Sequence, residues 1–160
     1  MPRTILASVS YSTDDGRREL LEATAEAAAS IGVALAALGA AYELVDEGAG
    51  ERLERELFAP AQAAYARAKR SHAEFAARHG LEPQPIAAPA PSAPVGGARA
   101  CFEQAVEAAA HADDILSELQ DSLLPVEVGD PELRAALAEV RTRLGEVAAR
   151  AHGWMRTLGR

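Results

Sequence analysis

From Leu21 onward, core-type residues return at alternating intervals of three and four: Leu21, Thr24, Ala28, Ile31, Leu35, Leu38, Tyr42 and Val45. A period near 3.6 gathers such a series into one stripe on a helix about eight turns long. The same spacing returns in Leu53, Leu57, Ala61, Ala64, Ala68, His72, Phe75 and His79. It returns again in Phe102, Ala105, Ala109, Ala112, Ile115 or Leu116, Leu119 and Leu123. It is most regular in Leu133, Leu137, Val140, Leu144, Val147, Ala151, Trp154 and Leu158. Alanine, the best helix former, fills 38 of the 160 positions. The chain therefore reads as all-α, with helices at about 14–46, 51–79, 98–123 and 131–158.

Local signals set the boundaries. Ser12 or Thr13 is placed to cap the first helix, with Asp14 and Asp15 at its positive end. Gly48 and Gly50 are expected to stop it. Pro60 lies inside the second helix, where a missing N–H and a steric clash predict a kink near Phe58–Ala59 or a fresh start. Gly80 suits the residue after a helix C-terminus. Asp130 followed by Pro131 is a helix start. One competing pattern is "TILASVSY" (residues 4–11), which alternates like a strand, with "GAAYELVDEG" (39–48) as a second. A sheet would need further strands, and "LLPVEV" (123–128) is the one other candidate. The unbroken period through Gly39 favours helix, leaving residues 4–11 as a short extended arm.

Five of the nine prolines fall in "LEPQPIAAPAPSAPVGG", residues 81–97. This segment separates two α-hairpins, about 14–79 and 98–158, of similar helix length. Neither hairpin can bury its stripes alone, so residues 1–160 are expected to form one four-helix bundle domain. Extended as polyproline II, residues 80–97 reach about 55 Å. That is far more than a turn between neighbouring helices needs, and it permits the crossover between helices two and three seen in ferritin-like bundles. "PSAP" (Pro91 to Pro94) also matches the PxxP spacing that SH3-type grooves accept.

Charge and motif content narrow the function. With 16 Lys and Arg against 24 Asp and Glu, the net charge is −8, which argues against nucleic acid or an anionic membrane as partner. A single cysteine, Cys101, excludes an internal disulfide and reads as a buried thiol. "SIGVALAALGAAY" is too short to span a bilayer, and no export signal opens the chain, so a cytoplasmic setting is expected. A ferritin-like di-metal site needs Glu-x-x-His on two helices, and that motif is absent. Its nearest substitute is the stripe Glu107, His111 and Asp114, continued by Glu118. His72, Tyr65 and Trp154 are candidates to line a small pocket, with Tyr42. No nucleophile–base set, phosphate loop or dinucleotide fingerprint is present, and no cofactor is expected. The residues favour a non-catalytic protein–protein association module, a homodimer first. The alternative is a metal- or small-molecule-binding bundle with a degenerate ligand set at Glu107, His111 and Asp114.

Overall fold

A computed structural model describes residues 2–89 and 95–158, with side chains from Thr13 onward. The "PSAP" segment lies outside the described residues. Every regular element among them is helical: α1 (Pro2–Tyr42), α2 (Glu47–Leu53), a π turn (Glu54–Phe58), α3 (Ala59–Arg78), α4 (Gly97–Asp121), α5 (Leu124–Glu127) and α6 (Pro131–Leu158).

The extended arm expected at residues 4–11 is instead the first turns of α1. Ile5 and Val9 are spaced four apart, so the run satisfies a helical period as well as an alternating one. Asp14 and Asp15 consequently lie inside the helix rather than at its start. α1 also stops at Tyr42, short of the expected 46, because Asp46 caps α2: its Oδ1 accepts the Ala49 N–H at 2.8 Å. Gly48 and Gly50 thus belong to α2 and do not terminate α1. Gly50 has a different use. A Cβ there would sit 3.0 Å from Tyr42 Cε2, so a larger residue would push the ring aside at this corner.

The interruption expected at Pro60 takes the form of the π turn, and the chain stays helical from Glu47 to Arg78. Pro60 has no N–H to return to the Glu56 carbonyl one turn earlier. Arg150 Nη1, from α6, donates to that carbonyl at 3.1 Å. Such one-turn π insertions commonly relieve a disturbed hydrogen-bond ladder. Beyond α4, Leu123 takes a left-handed conformation (φ 61°) and α5 follows, so "LLPVEV" is a helical turn and Leu123 is exposed.

α1 packs against α3 and α4, and α6 packs against the same two helices. Cross-contacts give the directions. Thr24 meets His72, and Gly32 meets Tyr65, so α1 and α3 are antiparallel. Ser30 Oγ donates to Ala108 O at 2.7 Å, toward the start of α4, while Gly16 lies against Leu124 beyond its end. Arg67 pairs with Glu139 at 3.0 Å and Arg78 with Asp130 at 2.7 Å, which makes α3 and α6 antiparallel. Arg99 reaches Met155 O, and Arg141 reaches Asp113, so α4 and α6 are antiparallel too.

The expected seams of α3, α4 and α6 are buried along most of their length. On α1 the inward face moves: Ala34, Ala37 and Ala41 are buried, whereas Tyr42 is 45% exposed. A seven-residue repeat slips by about 20° per heptad on a straight 3.6-residue helix, so its last members rotate out of the interface. Leu20, Ile31, Phe75, Leu116, Leu137 and Leu144 supply the bulk of the larger core cluster, and Leu38, Leu57 and Phe102 that of the second.

Asp130 does more than cap α6. Its Oδ1 accepts the Leu133 N–H at 2.9 Å, and both carboxylate oxygens accept from Arg78, at 3.2 and 2.7 Å. His79 Nε2 lies 2.8 Å from Oδ2, with its ring against Phe75. Burial alone would raise this carboxyl's pKa, but Arg78, the Leu133 N–H and His79 together hold it below 3.8. Its contribution is therefore present above the ordinary carboxylate pKa and is lost as pH falls through the lowered folded value. Asp130→Ala should cost about 1–2 kcal/mol in chemical denaturation at pH 7, chiefly the lost cap, since Arg78 keeps its pair with Glu132. The gap between variant and wild type should close at strongly acid pH.

Candidate functional site

The corner between α1 and α2 and the last turns of α6 enclose a cleft of about 540 Å³. Leu44, Val45, Ala98, Trp154 and Leu158 supply its apolar walls, and Arg52, Glu56 and Arg150 its charged ones. Trp154 is fixed on three sides. Its ring packs on Phe102 with centroids 5.4 Å apart, Arg52 lies 5.1 Å from the ring centroid, and Nε1 donates to Glu56 Oε2 at 3.0 Å. Glu56 also lies 3.6 Å from Arg52 Nε. The carboxylate is thus shared between an indole and a guanidinium while its own backbone carbonyl takes the Arg150 bond. Leu44 is 53% exposed on the rim. Tyr42 stands exposed beside it and lines an adjoining hollow of about 340 Å³ with Leu53 and Phe58.

The other sequence-derived candidates lie apart. Glu107, His111 and Asp114 are all exposed on α4. His111 approaches Glu26 of α1 at 3.7 Å, and Asp114 lines a groove of about 530 Å³ with Glu19 and Glu118. Among the described residues no three His, Cys, Asp or Glu side chains form a group able to hold a metal ion. Tyr65 is half-buried at mid-helix over Gly32, His72 is buried nearer the Asp130 end, and Trp154 belongs to the opposite end. The three do not come together: Tyr65 and His72 lie about two turns apart along α3, and Trp154 is on α6.

His72 is nevertheless a built polar centre, only 2% exposed. Its Nε2 is 2.9 Å from the Gln84 main-chain nitrogen, in the proline-rich connection. An amide N–H only donates, so Nε2 accepts and the ring proton resides on Nδ1. Nδ1 then donates to Thr24 Oγ1 at 2.8 Å, and the Thr24 hydroxyl donates to Leu21 O at 3.1 Å. Burial lowers the His72 pKa from its ordinary 6.5. All three groups are satisfied with the imidazole neutral. Burial likewise raises the pKa of the Cys101 thiol, which favours the unreactive form.

Sequence spacing placed His72 and Trp154 inward but could not find Gln84, Glu56 or Arg150. Their roles depend on contacts between residues 12, 94 and 98 positions apart. Pro60 was the one available signal for Arg150, since a proline in a helix announces a carbonyl in need of a donor. The stretch Thr13–Tyr42 is long and apolar enough to cross a bilayer by composition, yet half of its apolar window is buried inside the protein. No protein-family model, curated protein or solved structure matches this chain.

Thr24→Val keeps the shape of the threonine side chain but leaves the His72 Nδ1–H without an acceptor. The variant should lose about 1–3 kcal/mol in urea denaturation at pH 7.5.

Proposed function

We propose that this chain is one four-helix bundle of two α-hairpins that works without catalysis, as a protein–protein association module whose first partner is a second copy of itself. Support for the topology comes from the pairings above. α3 runs toward the Asp130 end, where α6 begins, and α4 starts beside the last turns of α6. A connection that travels the length of the bundle, as in a crossover, is what these pairings support. Leu81 and Ile86 pack partly buried on the core, and Pro89 lies within reach of Gly32, consistent with that course.

The observation that carries the association reading is the end cleft with its exposed rim of Tyr42, Leu44 and Leu158. Adjacent apolar side chains on one end of a soluble bundle favour burial against another surface. The titratable groups nearby are engaged in structural contacts: Glu56 holds Trp154 and Arg52, and Asp46 caps α2. With a net charge of −8, nucleic acid and anionic membranes are not proposed as partners. A cytoplasmic setting is part of the same proposal, one with which a lone buried thiol is compatible.

Light scattering across a hundredfold range of concentration tests the proposal. The wild type should move from monomer toward dimer, and Leu44→Asp combined with Leu158→Asp should remain monomeric with unchanged helical circular dichroism. A wild type that stays monomeric throughout, or a dimer indifferent to both substitutions, sinks self-association through this end.

A further inference from the structure

We propose that His72 is a proton-released latch that fastens the proline-rich connection along the helices while the imidazole is neutral and frees it on acidification. The inference is independent of the association reading, since it concerns the opposite half of the molecule and needs no partner.

The geometry assigns every proton at this contact. The Gln84 amide is a donor in all conditions, and it points at the only lone pair the neutral ring has left once Nδ1–H is committed to Thr24. A second proton must go on that lone pair. Nε2–H then faces Gln84 N–H, donor against donor, in a site almost closed to water. Neither neighbour can adapt: the amide cannot become an acceptor, and the Thr24 hydroxyl already accepts from Nδ1 while donating to Leu21 O. Moving residues 81–89 away opens Nε2 to water and resolves the conflict, and this is the least expensive element to move. α1 and α3 are held by the shared core, whereas the connection beyond the Leu81 bond to Ala76 O is held by the partly buried Leu81 and Ile86, by Pro89 near Gly32 and by the Gln84 bond.

Among the described residues His72 pairs with Thr24 and the Gln84 amide and with no charged group. The larger core cluster beside it is apolar, with Ala68, Phe75 and Ala76 on α3, Ala112 and Leu116 on α4, and Leu133 and Leu137 on α6. The nearby carboxylates Glu22 and Glu26 of α1, Glu74 of α3, Asp114 of α4 and Glu82 of the connection are exposed. Asp113 is taken by Arg141, Glu139 by Arg67, Glu132 by Arg78, and Asp130 by Arg78 and His79. Lys69 sits over the Tyr65 ring.

The sign follows from the lowered pKa of the fastened state. The fastened form holds fewer protons than the freed form, because burial lowers the His72 pKa from its ordinary 6.5 while the connection is in place. Fastening is therefore complete above that value and weakens as pH falls below it, the freed fraction rising by up to tenfold per pH unit. Between pH 7.5 and pH 5.5 the expected change is about tenfold.

Hydrogen exchange of the intact chain, followed by mass spectrometry at pH 7.5 and 5.5 and corrected for intrinsic rates, reads this directly. Amides in residues 81–89 should lose about tenfold in protection at the lower pH while those of α1, α3, α4 and α6 keep theirs. His72→Gln supplies an acceptor that does not titrate, so its connection should stay protected at both pH values. His72→Phe has no acceptor and should leave residues 81–89 unprotected at both. Equal wild-type protection at the two pH values would overturn the latch. So would an acid-induced loss that persists in His72→Gln, or one in which the helices lose protection together with the connection.

Discussion

Everything in this molecule depends on seams built largely from alanine. Ala27, Ala28, Ala64, Ala68, Ala109 and Ala112 stand among the leucines of one core cluster, and Ala37, Ala41, Ala61 and Ala105 among the larger residues of the second. A methyl group removes little apolar area from water, so each helix contributes modestly to burial. Both core clusters draw on residues of α1, α3, α4 and α6 or of the turn that leads into α3. A thin core also leaves little tolerance for unpaired polar groups, which cost more than one such contact returns.

The polar contacts answer that constraint at three levels along the axis. At one end Asp130 collects a helix cap, a guanidinium and an imidazole in a nearly closed site. At the other, Glu56 takes Arg150 on its carbonyl and Trp154 on its carboxylate, turning the defect left by Pro60 into a tie between α3 and α6. Between them His72 joins α1, α3 and the connection through neutral hydrogen bonds. Charge is used at the ends, where water can share the desolvation cost, and neutrality is used in the middle, where it cannot. That division separates the two contacts by the group that titrates: a carboxylate with a lowered pKa at Asp130 and a buried imidazole with a lowered pKa at His72.

How much of this was legible depended on range. The α6 boundaries were readable because Asp130 and Pro131 act on their own neighbours, and the seams of α3 and α4 were readable because burial follows the local period. Residues 4–11 misled because a short run of alternating apolar residues fits two periods equally. The α1–α2 corner misled because Gly50 serves a ring eight residues earlier rather than a chain stop. The drift of the α1 stripe came from assuming a supercoil that a straight helix does not follow. The cleft at the Trp154 end was illegible for a simpler reason. Its walls come from the corner after α1, α2, the π turn, α4 and α6, and no local pattern in any of them records the others.

The crossed connection proposed above would unite these features, since it would account for the proline content, for Leu81 and Ile86 on the core and for Gln84 on His72. A distance between the two ends it joins tests it most directly. Spin labels at the exposed positions Ala77 and Arg99, with Cys101 replaced by alanine, can be measured by pulsed electron resonance. α4 has 25 residues and is about 37 Å long, so a connection running the length of the bundle predicts about 35 Å or more between the labels. A distance under about 20 Å would mean that α3 and α4 meet at the same end and would contradict the account.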